Sequence, residues 1–372
     1  MRSGVLIPFI SILHISTPKP GDPDGSFRRA LTTFPDQHMV KRVMDKYYIE
    51  GGKDAMKPYK SVPMWTLDPP QHLIEATILG NYAEVWLAKH DDEGNETGGI
   101  VGINRLTKVA LPTIPSLYGA MLADVDYVIM GAGIPTKIPG ILDKLSKGED
   151  CKLPVEVAGA SDDAEYAQTF SPTEFWTKAF KPELAEKELK RPAFLPIVSS
   201  VVLAQSLLKR ADGEGPNNGI DGFVVELNPA GGHNAPPRGF KFDPDSTDGL
   251  NEDGEPKYGP KDEVDKIKFL KATHGLPFWF AGCYGRPDKF CEVIEAGGNG
   301  VQVRISRLPF VVICNIPTST IIKSQHFIAY LPLTLIIAGR YSVRIGQGIW
   351  NGRQGPKGCP SPDSREGPQS VY

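Results

Sequence analysis

The chain has 372 residues, 40% hydrophobic and 23% charged, with 41 basic against 44 acidic side chains and a formal charge of −3. That is ordinary globular composition: it excludes a strongly basic nucleic-acid binder and an unfolded polar chain, and it leaves room for one large or two ordinary domains. Five scattered cysteines (Cys151, Cys283, Cys291, Cys314 and Cys359) form no Cys-x-x-Cys pair, so neither a disulfide scaffold nor a zinc ribbon is supported and a reducing, cytoplasmic compartment is expected.

Residues 1–16 carry one arginine and then a short apolar run. The run superficially suits a secretory or targeting signal, but no small-residue cleavage site follows it. Further on, short Val/Ile/Phe-rich runs alternate with helical patterns, which points to a parallel α/β fold. Helices are predicted at Pro70–Gly80, Ser116–Ala123, Pro135–Leu145, Ser200–Lys209, Lys261–Thr273 and Pro287–Ala296. The strands between them are Ile100–Asn104, Asp126–Met130, Phe194–Ser199, Gly222–Glu226, Pro277–Ala281 and Gly300–Val303, with Glu84–Lys89 as a possible seventh. Two long polar stretches, Ser161–Lys190 and Lys241–Glu263, interrupt the alternation and are expected to lie over a site or to carry local structure. Residues 305–372 hold 7 basic and 2 acidic side chains, leaving 34 basic and 42 acidic for the first 304. This tail also has proline-broken apolar runs and a Gly/Pro/Ser-rich end, and no run reaches the roughly 20 residues of a membrane span. The expected division is a separate N-terminal segment 1–16, a domain 17–304 and an atypical tail 305–372.

Ligands of parallel α/β proteins bind at the carboxyl ends of the strands. Those ends here read Gly102-Ile103-Asn104, Gly131-Ala132-Gly133, Ser199-Ser200, Asn228 to Asn234, Ala281-Gly282-Cys283 and Gly300-Val301-Gln302. The recurring small residues let a flat or phosphorylated ligand approach the backbone. His233 follows Gly231 and Gly232 directly after a strand, where an imidazole works as a general base, although a hydrogen-bonded loop histidine reads the same way. His274 suits a helix cap, and His38, His72 and His90 suit ordinary surface positions without metal-ligand spacing. The turns at Gly282 and Gly300 suit either phosphate binding or tight βα packing. Cys283 and Cys291 have no local histidine or acid and read as packing residues.

Four motifs in order then resemble the nitronate monooxygenase (2-nitropropane dioxygenase-like) flavoproteins. They are Ile114–Ala123, Val128–Pro135, the Asn-Pro-Ala-Gly-Gly-His-Asn-Ala-Pro-Pro-Arg-Gly run of Asn228–Gly239, and Gly300–Val303. The resemblance spans about Pro18 to Val303 and implies a (β/α)8 barrel with non-covalent FMN, a group that also holds flavin-dependent enoyl-acyl-carrier-protein reductases. It implies that His233 is the catalytic base, that Asn104 and Gln302 face the flavin, and that Gly131, Gly231, Gly232, Gly282, Cys283 and Gly300 line the cofactor. The family's Ala-Gly-Gly phosphate cradle reads Ala281-Gly282-Cys283 here, so one glycine is replaced.

Two departures accompany the resemblance. Residues 1–16 lack the family's first strand and its Gln-Gly-Gly-Met-Gly-like loop, and Arg304-Ile305 stand where Gly-Thr would complete the phosphate site. The expectation is therefore an α/β chain forming an incomplete (β/α)8 TIM-type barrel with about six family strands, its ends altered by a faulty gene prediction. The implied activity is FMN-dependent oxidation of alkyl nitronates or nitroalkanes with O2. The alternatives are FMN-dependent reduction of an enoyl thioester and a non-catalytic remnant that binds no flavin. The expected partner is a small-molecule substrate, with no nucleic acid, metal or membrane span.

Overall fold

The computed structural model describes residues 22, 25–49, 56, 63–157, 159–161, 166–230, 237–241, 243, 246–252, 254–284, 287–305 and four short segments between 313 and 351. It divides into two compact units, Met1–Pro196 with Leu207–Asp221, and Ile197–Ser206 with Gly222–Tyr372.

The first unit opens with three helices, α1 (Ser26–Thr32), α2 (Gln37–Tyr47) and α3 (Gln71–Lys89). Asp36 starts α2 by accepting hydrogen bonds from the His38 and Met39 amides, satisfying two of the amide groups that a helix start leaves open. α3 runs nine residues past Gly80, so the possible strand at Glu84–Lys89 is the last part of this helix instead. Its residues are buried on every side, including Val85 and Trp86, and such a helix has no amphipathic stripe to separate it from a buried strand.

Then follow β1 (Gly102–Leu106), α4 (Thr113–Leu122), β2 (Tyr127–Gly131) and α5 (Ile138–Ser146). The polar stretch Ser161–Lys190 carries local structure. Strand β3 (Cys151–Pro154) forms an antiparallel pair with β4 (Ala167–Phe170), and helix α6 (Pro172–Lys178) comes next, its Ser171 hydroxyl capping the Glu174 amide. Trp176 of α6 is fully buried and donates from Nε1 to the Tyr118 hydroxyl of α4 at 2.6 Å.

β5 (Ala193–Val198) and α7 (Val201–Arg210) run through the boundary of the two units. The second unit adds β6 (Phe223–Glu226), α8 (Lys266–Ala272), β7 (Phe278–Ala281), α9 (Pro287–Glu295) and β8 (Gly300–Ile305). Parallel pairing runs β1-β2-β5-β6-β7-β8, with helices between successive strands. That sequential order is the barrel order rather than the reversing order of a doubly wound sheet. With six parallel strands in place of eight, the fold is an incomplete TIM-type barrel. After β9 (Ile313–Cys314), strand β10 (Leu333–Ala338) pairs antiparallel with β8, and β11 (Ser342–Ile345) pairs with β12 (Gly348–Asn351) and β9.

Carboxylates fasten the strand starts of the first unit. Asp221 accepts from the Phe194 amide at 2.7 Å and from Arg191 at 2.8 Å, while Arg191 also binds the buried Asp143 and the Gly219 carbonyl. Asp126 likewise accepts from the Val101 amide and pairs with Lys89 at 3.1 Å. These contacts serve stability, since the reactive face of such a sheet is the opposite end of the strands.

A small residue sets the approach of two helices. A Cβ on Gly119 of α4 would lie 2.3 Å from the Ile78 carbonyl oxygen of α3. Gly119→Ala should therefore cost about 1–3 kcal/mol, read as a lower urea midpoint with an unchanged denaturant slope; an unchanged midpoint would contradict this packing.

Candidate functional site

In the second unit, side-chain alternation sorts the strand residues onto two faces. Phe269 of α8 packs edge-on against Phe223 at 5.7 Å between ring centroids and lies 5.5 Å from Phe278, so the face carrying Phe223, Val225, Phe278 and Phe280 is covered by the helix layer. Successive residues of a strand point to opposite faces, so Val224, Glu226, Trp279, Ala281, Gly300 and Gln302 lie on the other face, which in a barrel is the interior. The register pairs Glu226 with Ala281 and Ala281 with Gln302. These three form one row across the last residues of β6 and β7 and the third residue of β8.

The two polar members of this row differ in burial. Gln302 Oε1 is buried without a hydrogen bond. Glu226 is half-buried, makes no ion pair, and burial pushes its carboxyl up to about 7. Sequence reading placed Gln302 here only through the resemblance, and it passed over Glu226. The available signal was an acid ending an otherwise apolar strand.

The turn after β7 keeps a glycine-type backbone. Gly282 has φ +105° and Cys283 φ +60°, a left-handed conformation that costs an ordinary residue about 1 kcal/mol. The replaced glycine of the cradle thus retains its backbone shape, with a thiol added. Cys283 is exposed, which corrects its reading as a packing residue, whereas Cys291 is buried. Gly282 is also demanded by packing: a Cβ there would lie 3.0 Å from the Ala230 nitrogen and 3.2 Å from the Leu227 oxygen. The Leu227 amide donates to the Ala281 carbonyl at 3.0 Å, so the turns after β6 and β7 are held side by side.

Asn104 and Gly131 belong to the first unit. Asn104 stands in the middle of β1, which begins and ends two residues later than expected; it is exposed and registers with Ile129. The neighbouring Arg105 lies on the opposite face. It is buried, its guanidinium is pulled down to about 10 by desolvation, and it has no ion pair among the described residues. The Gly131 carbonyl accepts from both the amide and the hydroxyl of Thr107, while Gly133 lets Thr107 approach where a Cβ would lie 2.8 Å away. Gly231, Gly232 and His233 fall outside the described residues, so the expected base has no described geometry. Of the remaining histidines, His90 stacks on Trp86 at 3.9 Å, and His274 sits at φ +55° just beyond α8.

The described residues contain no group of three or more His, Cys, Asp or Glu able to hold a metal ion and no helix long and apolar enough to cross a membrane. No family model and no curated protein matches the chain. Among solved structures it is similar to FabK from Thermotoga maritima at 16% identity and a TM-score of 0.28, covering 55% of this chain. The chain spans only 41% of the length of that structure.

The raised Glu226 pKa has a sign. The neutral carboxyl is favoured by folding, so its contribution is present at acid pH and is lost as pH rises from about 4, the usual value in an unfolded chain, through about 7. Glu226→Gln removes the ionisation. Measured as Tm, the variant should gain on the parent between pH 5 and pH 8, and a constant difference would contradict the burial of this carboxyl.

Proposed function

We propose that the chain is an FMN-dependent oxidoreductase that oxidises alkyl nitronates and nitroalkanes with O2. The observation that carries this reading is the row Glu226-Ala281-Gln302, where the orphaned Gln302 oxygen belongs to the residue paired with Ala281, just before the left-handed turn Gly282-Cys283. It supports a cofactor site because a buried acceptor without a partner costs about 1–3 kcal/mol, a cost that a ligand donor removes. Of the four motifs that resemble the flavoprotein family, Val128–Gly131 lies on β2 and Gly300–Val303 on β8.

The residues present fit the group. Backbone amides around Gly282, Cys283 and Gly300 would take its phosphate, with Gln302 beside them in the second unit; Asn104, Gly131, Gly231 and Gly232 are assigned to the cofactor by the resemblance alone. The flavin, when bound, supplies a two-electron acceptor that is reoxidised by O2. His233 would take the proton α to the nitro group onto an imidazole nitrogen when the substrate is a neutral nitroalkane. A nitronate arrives without that proton and does not need the base.

That difference gives the test. His233→Ala should lower turnover of neutral nitroalkane by roughly 10²–10⁴-fold, leave FMN bound, and spare the pre-ionised nitronate far more. Equal losses on both substrates would contradict the role of His233. Rapid anaerobic bleaching by NADPH but not by nitronate would contradict the oxidation itself and select the enoyl-thioester reductase.

A further inference from the structure

We propose that the open edge of β1 docks a second copy of this chain, the two β1 strands pairing antiparallel about a two-fold axis at Asn104. The inference uses the backbone of Gly102–Leu106 and does not rest on the flavin reading.

Successive residues of a strand turn their N–H and C=O groups to opposite edges. The Val101 carbonyl accepts from the Tyr127 amide at 3.2 Å, and the Thr107 amide donates to the Gly131 carbonyl at 2.9 Å. Odd-numbered residues from 101 to 107 therefore bond toward β2, whereas Gly102, Asn104 and Leu106 present their backbone groups to the other edge. Among the described residues the one bond made there is from the Val109 amide to the Leu106 carbonyl. The N–H and C=O of Gly102 and Asn104 and the N–H of Leu106 are open. The far edge of the sheet is filled differently, because β10 runs antiparallel along β8, while no described strand lies beyond β1.

An edge of this kind templates pairing unless a lysine, a proline or a bulge guards it. β1 has none of these. Its register with β2 is continuous, and its one charged residue, Arg105, buries its side chain. Gly102 and Asn104 are exposed, as is Ile100 just before the strand, at 61%.

The symmetry of the open groups about Asn104 selects a second copy. In antiparallel pairing centred there, Asn104 of each copy donates its amide to the Asn104 carbonyl of the other, and each Leu106 amide donates to the opposite Gly102 carbonyl. The Gly102 amides reach the remaining lone pair of the opposite Leu106 carbonyls. On the face that carries these side chains, Leu106 lies opposite a glycine, and two Asn104 carboxamides, each donor and acceptor, stand side by side. Arg105 comes opposite Ile103, so no like charges meet. Each copy offers one such edge, and the pairing closes at the dimer.

Sedimentation velocity on the full chain tests this. A strand of 5 residues buries less than the roughly 1,200 Å² of a standard stable interface, so a reversible monomer–dimer equilibrium is expected with a dissociation constant on the order of 10 µM. Asn104→Pro removes an outward N–H and no bond to β2, a position where an edge strand accepts proline. It should weaken the dimer about ten-fold or more through the loss of two symmetry-related hydrogen bonds, with an unchanged far-UV circular dichroism spectrum. Asn104→Asp keeps the backbone and opposes two carboxylates across the axis. Its dimer should be weaker than the parent's at low salt and recover at about 1 M salt, where charges are screened. A chain that stays monomeric up to about 200 µM, well above that constant, would overturn the self-pairing. So would a dimer that neither substitution weakens, or assembly that continues beyond two copies.

Discussion

The edge-on packing of Phe269 against Phe223, with Phe278 beside it, decides which side of the second unit's strands faces the helices. Everything assigned to the candidate site depends on that choice. Side chains alternate with a period of two, so a one-residue slip of β6 or β7 would turn Phe223 and Phe278 away from α8 and push Glu226 into the aromatic layer. The fully buried Phe223, Phe269, Phe278 and Phe280 make that slip costly, at about 1.5–3 kcal/mol for each such side chain exposed. Packing on one face thereby holds polar groups on the other, where the register gathers a carboxyl, a methyl and a carboxamide into one row.

The first unit shows the complementary half of a βα design. Arg191 donates to both Asp143 and Asp221, Asp221 also accepts from the Phe194 amide at the start of β5, and Asp126, paired with Lys89, accepts from the Val101 amide just before β1. These charges are satisfied, which is why they read as structural. Glu226, at the end of β6, makes no ion pair among the described residues, and the Gln302 oxygen, within β8, is buried without a hydrogen bond. The contrast between these paired charges at strand starts and the orphaned Gln302 oxygen beside Ala281 is the physical ground for locating a ligand at the latter.

Much of this framework was legible in the sequence, because short β-rich runs buried on both faces stand out from the helices between them. Phe223–Glu226 and Phe278–Ala281 were both foreseen within one residue. The reading failed where burial hides periodicity: α3 is buried on every side, and its last turns looked like a strand. It also missed α1, α2, α6 and the β3–β4 pair; the signals of α2 and α6 are local caps, Asp36 and Ser171, rather than long patterns. At the site, glycines drew attention to the turn at Gly282, yet the structure shows that packing against Ala230 and Leu227 requires that glycine with or without a ligand. Glu226 went unnoticed because a single acid after an apolar run is unremarkable until the register sets it opposite Ala281 and Gln302.

The central claim is that this arrangement holds a flavin phosphate, and the absorbance spectrum of the purified protein tests it most directly. Visible flavin bands that remain through gel filtration, with FMN released in near-equimolar amount on heating, are the result expected. A colourless protein that takes up no FMN when the cofactor is supplied in excess would contradict it.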